Sequence, residues 1–274
     1  MFNKPKFWDL KKPNFLSYLL LPFTIPIIIS NFIYKFKSKR KYKKVKTICL
    51  GNIYVGGTGK TPTVIKLYEI LKNRFNTVTA KKLYSNQKDE QTILKNKTKL
   101  MTSNDRSKII KEAIKNKIEV IIFDDGLQDK KIDYNLKFVC FDSKNLIGNG
   151  FLVPAGPLRE KINSLRKYDC VIFKNIDKNV DLNEIISKIK NINPKIQIFH
   201  TYVKIKNIEK FKRSDQYLIF SGIGNSKSFK EILIKNDFNI IEEKIFTDHY
   251  NYKDKDILRI IEIAEKKNMR IITT

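Results

Sequence analysis

A strand, a glycine-rich loop and a helix follow one another near the start of the chain, and this order constrains the fold more than any other feature. Residues 45–50 (VKTICL) form an apolar run with β-branched character, which suits a buried parallel strand. The loop GNIYVGGTGKTP (residues 51–62) comes next, followed by the helical stretch TVIKLYEILKN. This succession predicts an α/β fold whose loop binds phosphate groups.

The residue types of the loop fit a nucleoside triphosphate. Gly56, Gly57 and Gly59 allow successive backbone N–H groups to curl around phosphate oxygens. Lys60 can reach the β- and γ-phosphates, and the Thr61 hydroxyl can bind Mg²⁺. We therefore expect ATP and Mg²⁺ as cofactors. The candidate nucleotide-binding residues are Tyr54, Val55, Gly56, Gly57, Thr58, Gly59, Lys60 and Thr61.

A second apolar run ends in two acids. Residues 119–125 read EVIIFDD, so that Asp124 and Asp125 follow an expected strand. An acid at this position can hold Mg²⁺ opposite a phosphate loop, in the crevice where open α/β sheets bind ligands. We expect Asp124 to bind the metal with Thr61, and Asp125 to lie near the hydroxyl that accepts the phosphate. Without the loop upstream, such a pair would more often form a turn or a helix cap.

An apolar segment precedes a basic segment at the N-terminus. Residues 15–34 (FLSYLLLPFTIPIIISNFIY) contain no charge, and eight of the 12 residues 35–46 are basic. The pair is typical of a membrane anchor that combines apolar and electrostatic attraction. Pro22 and Pro26 argue against a straight spanning helix. The alternatives are a hairpin buried against the protein and a true span, and the basic flank would keep the following domain cytoplasmic.

Net charge and cysteine usage narrow the possible partners and compartments. Lys and Arg number 55 against 28 acids, which gives a formal charge of +27. This excess favours a polyanionic partner, although a lysine-rich composition shared by a whole genome would explain part of it.

Cys49, Cys140 and Cys170 lie in separate apolar runs with no spacing for disulfides or zinc. Buried thiols in a reduced compartment are expected, which indicates the cytoplasm.

His249 is a candidate catalytic base. It lies in FTDHYNYKDKD (residues 246–256), between an expected strand and an expected helix. An imidazole titrates near neutrality, so it could take the proton of a hydroxyl that attacks a phosphate. In the alternative interpretation, Asp248 caps the coming helix and His249 is merely exposed.

Four motifs in order resemble those of the tetraacyldisaccharide 4′-kinase family of lipid A biosynthesis. They are GNIYVGGTGKTP, DDGLQ, GNGFLVPAGPLRE (residues 148–160) and FTDHYNY (residues 246–252). The resemblance implies transfer of the ATP γ-phosphate to the 4′-hydroxyl of a lipid A disaccharide 1-phosphate. It also implies membrane association, here at the cytoplasmic face of a bacterial inner membrane, and no nucleic acid partner is expected.

The resemblance also assigns residues to roles. It supports a part in catalysis for His249 and suggests Asp89 as the residue that orients it. Lys60 of the loop and Asp125 of the acidic pair are the other candidate catalytic residues. The candidate substrate-binding residues within its motifs are Asn149, Arg159 and Gln128.

The chain departs from the family pattern at several positions. Tyr54 stands where the usual phosphate-loop pattern has its first glycine. KKLYSN (residues 81–86) replaces an SRGYGR-like run, and Asp129 replaces the usual histidine after DDGLQ. The chain ends at MRIITT in an expected strand, which suggests a trimmed chain or a minimal member of the family.

Alternating apolar runs and helical stretches predict an α/β architecture. We expect a P-loop, mainly parallel sheet with helices on both faces, a second smaller α/β unit, and an N-terminal apolar helical anchor. The expected domains are residues 1–44, 45–167 and 168–274, with substrate between the last two and the last apparently truncated. Two alternative functions stay open: a kinase or ligase for a soluble acceptor, and a membrane- or DNA-bound ATPase of the partitioning type.

Overall fold

The computed structural model describes residues 4–33, 38–83, 88–175, 180–205, 207–223, 226–247 and 250–274. The chain divides into two compact units, the first ending at Thr201 and the second beginning at Tyr202. In chain order, the elements up to the division are α1 (Phe15–Leu19), α2 (Ile25–Ile33), β1 (Lys46–Gly51), α3 (Lys60–Leu71), β2 (Thr77–Lys82), α4 (Lys88–Lys97), β3 (Leu100–Ser103), α5 (Arg106–Lys115), β4 (Val120–Asp124), β5 (Leu136–Asp142), β6 (Cys170–Asn175), α6 (Asn183–Ile192) and β7 (Gln197–Tyr202).

The first unit is built on a seven-stranded sheet with the strand order β3-β2-β4-β1-β5-β6-β7. The pairings of β1 with β4 and β5, of β2 with β3 and β4, and of β5 with β6 are all parallel. Leu50 and Lys81 both lie opposite Asp124 in the register. The carboxyl ends of β1, β2 and β4 therefore meet at one edge, where parallel sheets bind their ligands.

The central strands are buried on both sides, which confirms the predicted helices on both faces of the sheet. Ile48 and Leu50 of β1 pack with Val64 of α3, whereas Cys49 between them packs with Ile109 of α5. Successive side chains of a strand point to opposite faces. This explains why β1 is a continuous apolar run rather than an alternating one.

The second unit is a smaller α/β body, as predicted. Its elements are β8 (Gln216–Ser221), α7 (Ser226–Ile234), β9 (Asn239–Ile245), α8 (Asp254–Lys266) and β10 (Arg270–Thr273). The strands pair in the parallel order β10-β8-β9. Tyr217 packs with Leu233 of α7 on one face, and Leu218 packs with Ile260 of α8 on the other.

The boundary between the units differs from the expected one near residue 168. Strands β6 and β7 extend the first sheet beyond β5, so both belong with the phosphate-loop domain. The apolar runs that were assigned to a second domain therefore contribute to the core of the first, where Val171, Phe173 and Ile196 are buried.

The apolar N-terminal segment is broken into short pieces. A 3₁₀ turn (Leu21–Thr24) separates α1 from α2, and no helix among the described residues is long and apolar enough to cross a membrane. Ser17 and Thr24 are buried, whereas Phe23 and Phe32 are 65 % and 58 % exposed. The segment thus turns polar residues inwards and apolar residues outwards, which differs from the alternative of a buried hairpin.

Candidate active site

The phosphate loop connects β1 to α3 and is open at its glycines. Gly56 and Gly59 have φ angles of 137° and 76°, a region that side chains rarely adopt. A Cβ atom at Gly57 would meet no atom within 4 Å, and the buried Thr58 hydroxyl has no hydrogen-bond partner among the described residues. The loop leads into the N-terminus of α3 at Lys60, a favourable position for phosphate groups.

The cradle begins later than predicted. The Val55 N–H donates to the Pro157 carbonyl at 2.8 Å, and Tyr54 forms a bridge with Leu158. The Tyr54 side chain is buried and its hydroxyl donates to Asp9. Tyr54 and Val55 therefore hold the loop in place instead of offering groups to a phosphate. Residues 56–61 remain as the candidate cradle.

Asp124 reaches the loop from the end of β4. The Thr61 Oγ1 atom donates to Asp124 Oδ2 at 2.9 Å. Asp124 Oδ1 is buried and has no hydrogen-bond partner in the part of the chain that the structure describes. A buried carboxylate oxygen without a partner is unfavourable, and carboxylate and hydroxyl oxygens are the ligands that Mg²⁺ prefers. Asp124 and Thr61 therefore fit a magnesium ion.

Protein side chains would form only part of such a coordination sphere. The described residues contain no cluster of three or more His, Cys, Asp and Glu side chains that could hold a metal. Mg²⁺ in kinase sites commonly takes one or two protein ligands and completes its shell with phosphate oxygens and water.

Lys81 is a site residue that sequence reasoning missed. Its Nζ atom lies 2.9 Å from Asp124 Oδ2 and also forms an ion pair with Glu90 of α4, and the side chain is only 2 % exposed. Burial alone would lower the pKa of Lys81, but Asp124 and Glu90 outweigh burial and raise it. The available signal was a lysine within the strand TVTAKK, because a buried charge on a strand requires partners.

Asp125 faces away from Asp124 because the backbone turns between them. Asp125 has a φ angle of 61°, and its N–H donates to the Leu50 carbonyl at 2.9 Å. Its carboxylate lies 3.5 Å from the Arg159 guanidinium. Burial would raise the pKa of Asp125, but Lys60 and Arg159 overcome this effect and lower it. The residue therefore carries a negative charge at neutral pH.

A charged cavity of about 570 Å³ opens beside Asp125. It combines five cationic side chains with three acids, two amides and a glycine, so it suits a ligand with both phosphate and hydroxyl groups. The lining residues are Lys82, Asn104, Asp105, Arg106, Asp125, Gly126, Gln128, Asp129, Lys130, Lys131 and Arg159.

The structure separates the three candidate substrate-binding residues. Arg159 and Gln128 line the cavity. Asn149 is buried elsewhere: its Nδ2 atom donates to Ser17 Oγ at 2.9 Å and to the Ala155 carbonyl at 3.0 Å. Its Oδ1 atom accepts from the Phe151 N–H. The prediction for Asn149 is corrected, because these bonds use its amide to shape the loop of residues 148–160.

The side chains of the two remaining catalytic candidates lie outside what the structure describes. Residues 248–249, including His249, lie outside the described residues. Asp89 is the second residue of α4, one position before Glu90, but its side chain also lies outside what the structure describes. Their roles stay predictions.

Comparisons with known proteins indicate the family that the chain resembles. Residues 15–274 match the family model described as tetraacyldisaccharide-1-P 4′-kinase. The tetraacyldisaccharide 4′-kinase of Pelagibacter ubique is 49 % identical over 99 % of this chain and 86 % of its own length. The enzyme of the same name from Rickettsia akari is 35 % identical over 98 % and 86 %.

A solved structure has the same fold. It is LpxK from Aquifex aeolicus in complex with ATP, with a TM-score of 0.67 and 23 % sequence identity, covering 94 % of this chain and 88 % of that one.

Proposed function

Because the chain belongs to the tetraacyldisaccharide 4′-kinase family, we propose that it transfers the γ-phosphoryl group of ATP to the 4′-hydroxyl of a lipid A disaccharide 1-phosphate precursor. One observation carries the proposal: the open phosphate loop and the acids at the end of β4 meet beside a cavity rich in cations. Asp125 lines the cavity and also interacts electrostatically with Lys60 of the loop, so the donor phosphates and the phosphorylated acceptor would both lie near it. Membership of a kinase family weighs against the partitioning-type ATPase.

ATP is the proposed donor, held by residues 56–61. Their backbone N–H groups and the N-terminus of α3 attract the phosphates, and Lys60 supplies a positive charge. The ATP bound to LpxK from Aquifex aeolicus supports this choice of nucleotide. When bound to Thr61 and Asp124, Mg²⁺ would neutralise charge that develops on the transferred phosphoryl group.

The acceptor hydroxyl is proposed to meet Asp125. The lowered pKa of Asp125 makes it a good hydrogen-bond acceptor but a weak base at neutral pH. We assign the proton to His249, oriented by Asp89, on the strength of the family resemblance. The 4′-oxygen forms a bond to the γ-phosphorus as the bond to the ADP oxygen breaks, and the hydroxyl proton passes to His249.

The cavity is proposed to hold the sugar part of the acceptor. Arg159, whose side chain is 33 % exposed, can bind a phosphate through its planar guanidinium group, and Lys130 and Lys131 add positive charge. Gln128 keeps a fixed orientation, because its Nε2 atom donates to the Asn52 carbonyl at 2.9 Å. These groups suit a sugar phosphate better than an uncharged acceptor.

The N-terminal segment is proposed to bind the cytoplasmic face of a bacterial inner membrane as a peripheral element. Its outward apolar residues, including Phe15 at 79 % exposure, are followed by the basic residues 35–46. Such a pair combines apolar insertion with attraction to anionic lipid. An acceptor with acyl chains would remain in the membrane while its sugar reaches the cavity.

The test is a phosphoryl-transfer assay in detergent with ATP labelled at the γ-phosphate and a lipid A disaccharide 1-phosphate. Label should enter the lipid, and Lys60→Ala should lower turnover about a hundredfold or more, since the transferring group loses its counter-charge. Near-normal transfer by Lys60→Ala would refute the nucleotide site. Label that enters only a deacylated, soluble disaccharide would instead favour the soluble-acceptor alternative.

The role of His249 is tested by the pH dependence of turnover. Because the pKa of Asp125 is lowered, this residue stays ionised through neutral pH and adds no acid limb there. Wild-type activity should fall on the acid side near the imidazole pKa, about 6.5. His249→Ala should abolish the acid limb of the profile and lower turnover about a hundredfold. His200→Ala, at the other histidine, should keep the acid limb and the wild-type turnover.

A further inference from the structure

Tyr54 occupies an unusual position in the phosphate loop. It replaces the glycine that usually begins such loops, and it is only 2 % exposed. Its ring lies against Gly56, where a Cβ atom would stand 3.4 Å from Tyr54 Cε1. Tyr54 therefore supports the first residue of the candidate cradle directly.

The Tyr54 hydroxyl is bonded to residues that precede the whole sheet in sequence. It donates to Asp9 Oδ1, and Lys4 Nζ lies 2.8 Å from the same hydroxyl and 2.7 Å from Asp9 Oδ1. Burial and the bond to Asp9 raise the pKa of Tyr54 far above its usual value, so the phenol keeps its proton and acts as donor. A charged acceptor makes such a bond stronger than a neutral one.

The backbone next to Asp9 is held in place by Trp8, the preceding residue. Trp8 is 1 % exposed, and its Nε1–H donates to the Pro154 carbonyl at 2.9 Å. The Trp8 carbonyl accepts from the Asn149 N–H at 3.0 Å. The position of Asp9 is therefore fixed by packing, rather than by the exposed ion pair with Lys4 alone.

We infer that the hydrogen bond between Asp9 and Tyr54 positions the phosphate loop for ATP. Tyr54 and Asp9 are positioning residues: neither offers a group to the phosphates, but together they hold Gly56 at its φ angle of 137°, which residues other than glycine rarely adopt. Residues 4–9 are thus a functional part of the nucleotide site, although the site's motif begins more than 40 positions later. The inference concerns ATP binding alone and does not depend on which acceptor is phosphorylated.

The test compares the ATP dissociation constants of full-length variants by calorimetry, with Mg²⁺ in detergent and without acceptor lipid. Tyr54→Phe and Asp9→Leu each remove the hydrogen bond and should weaken ATP binding about three- to tenfold. The double variant should be no weaker than either single variant, since both remove the same contact. Asp9→Asn keeps an acceptor oxygen and should restore most of the affinity.

Two measurements separate positioning from loss of stability. The urea midpoint of Tyr54→Phe should stay close to wild type, while backbone amides of residues 55–59 should exchange hydrogen faster. Tyr42→Phe removes the hydroxyl of another buried tyrosine and should leave ATP affinity unchanged. Wild-type affinity in Tyr54→Phe, which lacks a single oxygen, would overturn the inference even if Asp9→Leu failed to fold. Additive effects in the double variant would also overturn it.

Discussion

At the scale of single residues, two adjacent acids face different partners. Asp124 ends a strand and points to Thr61, whereas the left-handed backbone of Asp125 turns its carboxylate towards the cavity. Such a conformation is uncommon for a residue other than glycine, and it persists only where surrounding contacts enforce it. The bond from the Asp125 N–H to the Leu50 carbonyl is one such contact.

Asn substitutions should distinguish the two acids. Asp124→Asn should weaken Mg²⁺-dependent ATP binding, because a ligand charge is lost, and Mn²⁺ should recover part of it. Asp125→Asn should leave the metal dependence near wild type while lowering turnover. Calorimetric titration of ATP with each metal measures the first effect, and the transfer assay measures the second. An identical metal dependence in both variants would contradict this division.

Lys81→Met should destabilise the protein by about 3 kcal/mol at neutral pH, because buried Asp124 would lose its cation. The raised pKa of Lys81 means that its contribution is fully present below the pKa of an unfolded lysine and is lost only as the pH rises through the folded value. Urea unfolding provides the measurement.

Mg²⁺ with ATP should recover part of the stability of Lys81→Met, since the metal would replace the missing charge beside Asp124. Lys66→Met is the control: its ion pair with Glu69 is exposed and should contribute less than about 1 kcal/mol. Equal losses in the two variants would contradict a special role for Lys81.

At the scale of elements, the segment from α1 to α2 buries polar side chains and exposes apolar ones, which is the reverse of the usual arrangement. Ser17 bonds inwards to Asn149, and Asn31 donates to the Arg159 carbonyl at 3.3 Å. The outward apolar side chains form a patch whose exposure to water is unfavourable. Patches of this kind usually mark an interaction surface. This arrangement fits the membrane contact proposed for the segment, whose polar side is bonded to the loop of residues 148–160.

Removing exposed apolar groups should weaken membrane binding without disturbing the fold. The double substitution Phe23→Ser and Phe32→Ser should lower affinity for anionic vesicles about tenfold or more, because each phenyl group loses its apolar burial in lipid. Sedimentation with vesicles measures the effect. Ile70→Ser, at 58 % exposure on α3, is the matched control and should bind as wild type. Equal loss in the control would contradict a specific surface.

At the scale of the whole molecule, the sequence predicted the fold class better than the boundary between the two units. Apolar runs identify strands such as β1 and β4, because burial on both faces leaves a local signature. The joining of β6 to β5 is a pairing between distant residues, which no local pattern encodes. For the same reason the contact between Lys81 and Asp124 was not predicted from the sequence, because it depends on the register between β2 and β4.

The predicted site residues divide in the same way. The glycine loop, Thr61 and Asp124 follow a motif that carries its own geometry, and the structure brings them together. Asn149 lies in an equally distinctive motif, but its partners Ser17 and Ala155 could not be recognised without the fold. A motif thus indicates that a residue matters, whereas only its contacts tell whether it binds substrate or shapes a loop.

The three thiols should be unreactive while the protein is folded. Burial raises the pKa of Cys140 to about 12 and that of Cys170 to about 11, and it also raises the pKa of Cys49. Thiolate is the reactive form, so modification at neutral pH should be about a hundredfold slower than in urea. A chromogenic disulfide reagent measures both rates. Rapid reaction of one thiol in the native protein would contradict the burial described.

Trp8 packs into the fold, so residues 4–9 cannot be removed without loss of contacts. Cutting it away to obtain a freely soluble protein would leave the Pro154 carbonyl without its donor and Tyr54 without Asp9. Exchange of the segment between relatives would face the same obstacle, because a foreign sequence would have to reproduce both contacts. Substitution of the outward phenylalanines is the gentler route to solubility, since it leaves the inner side of the segment intact.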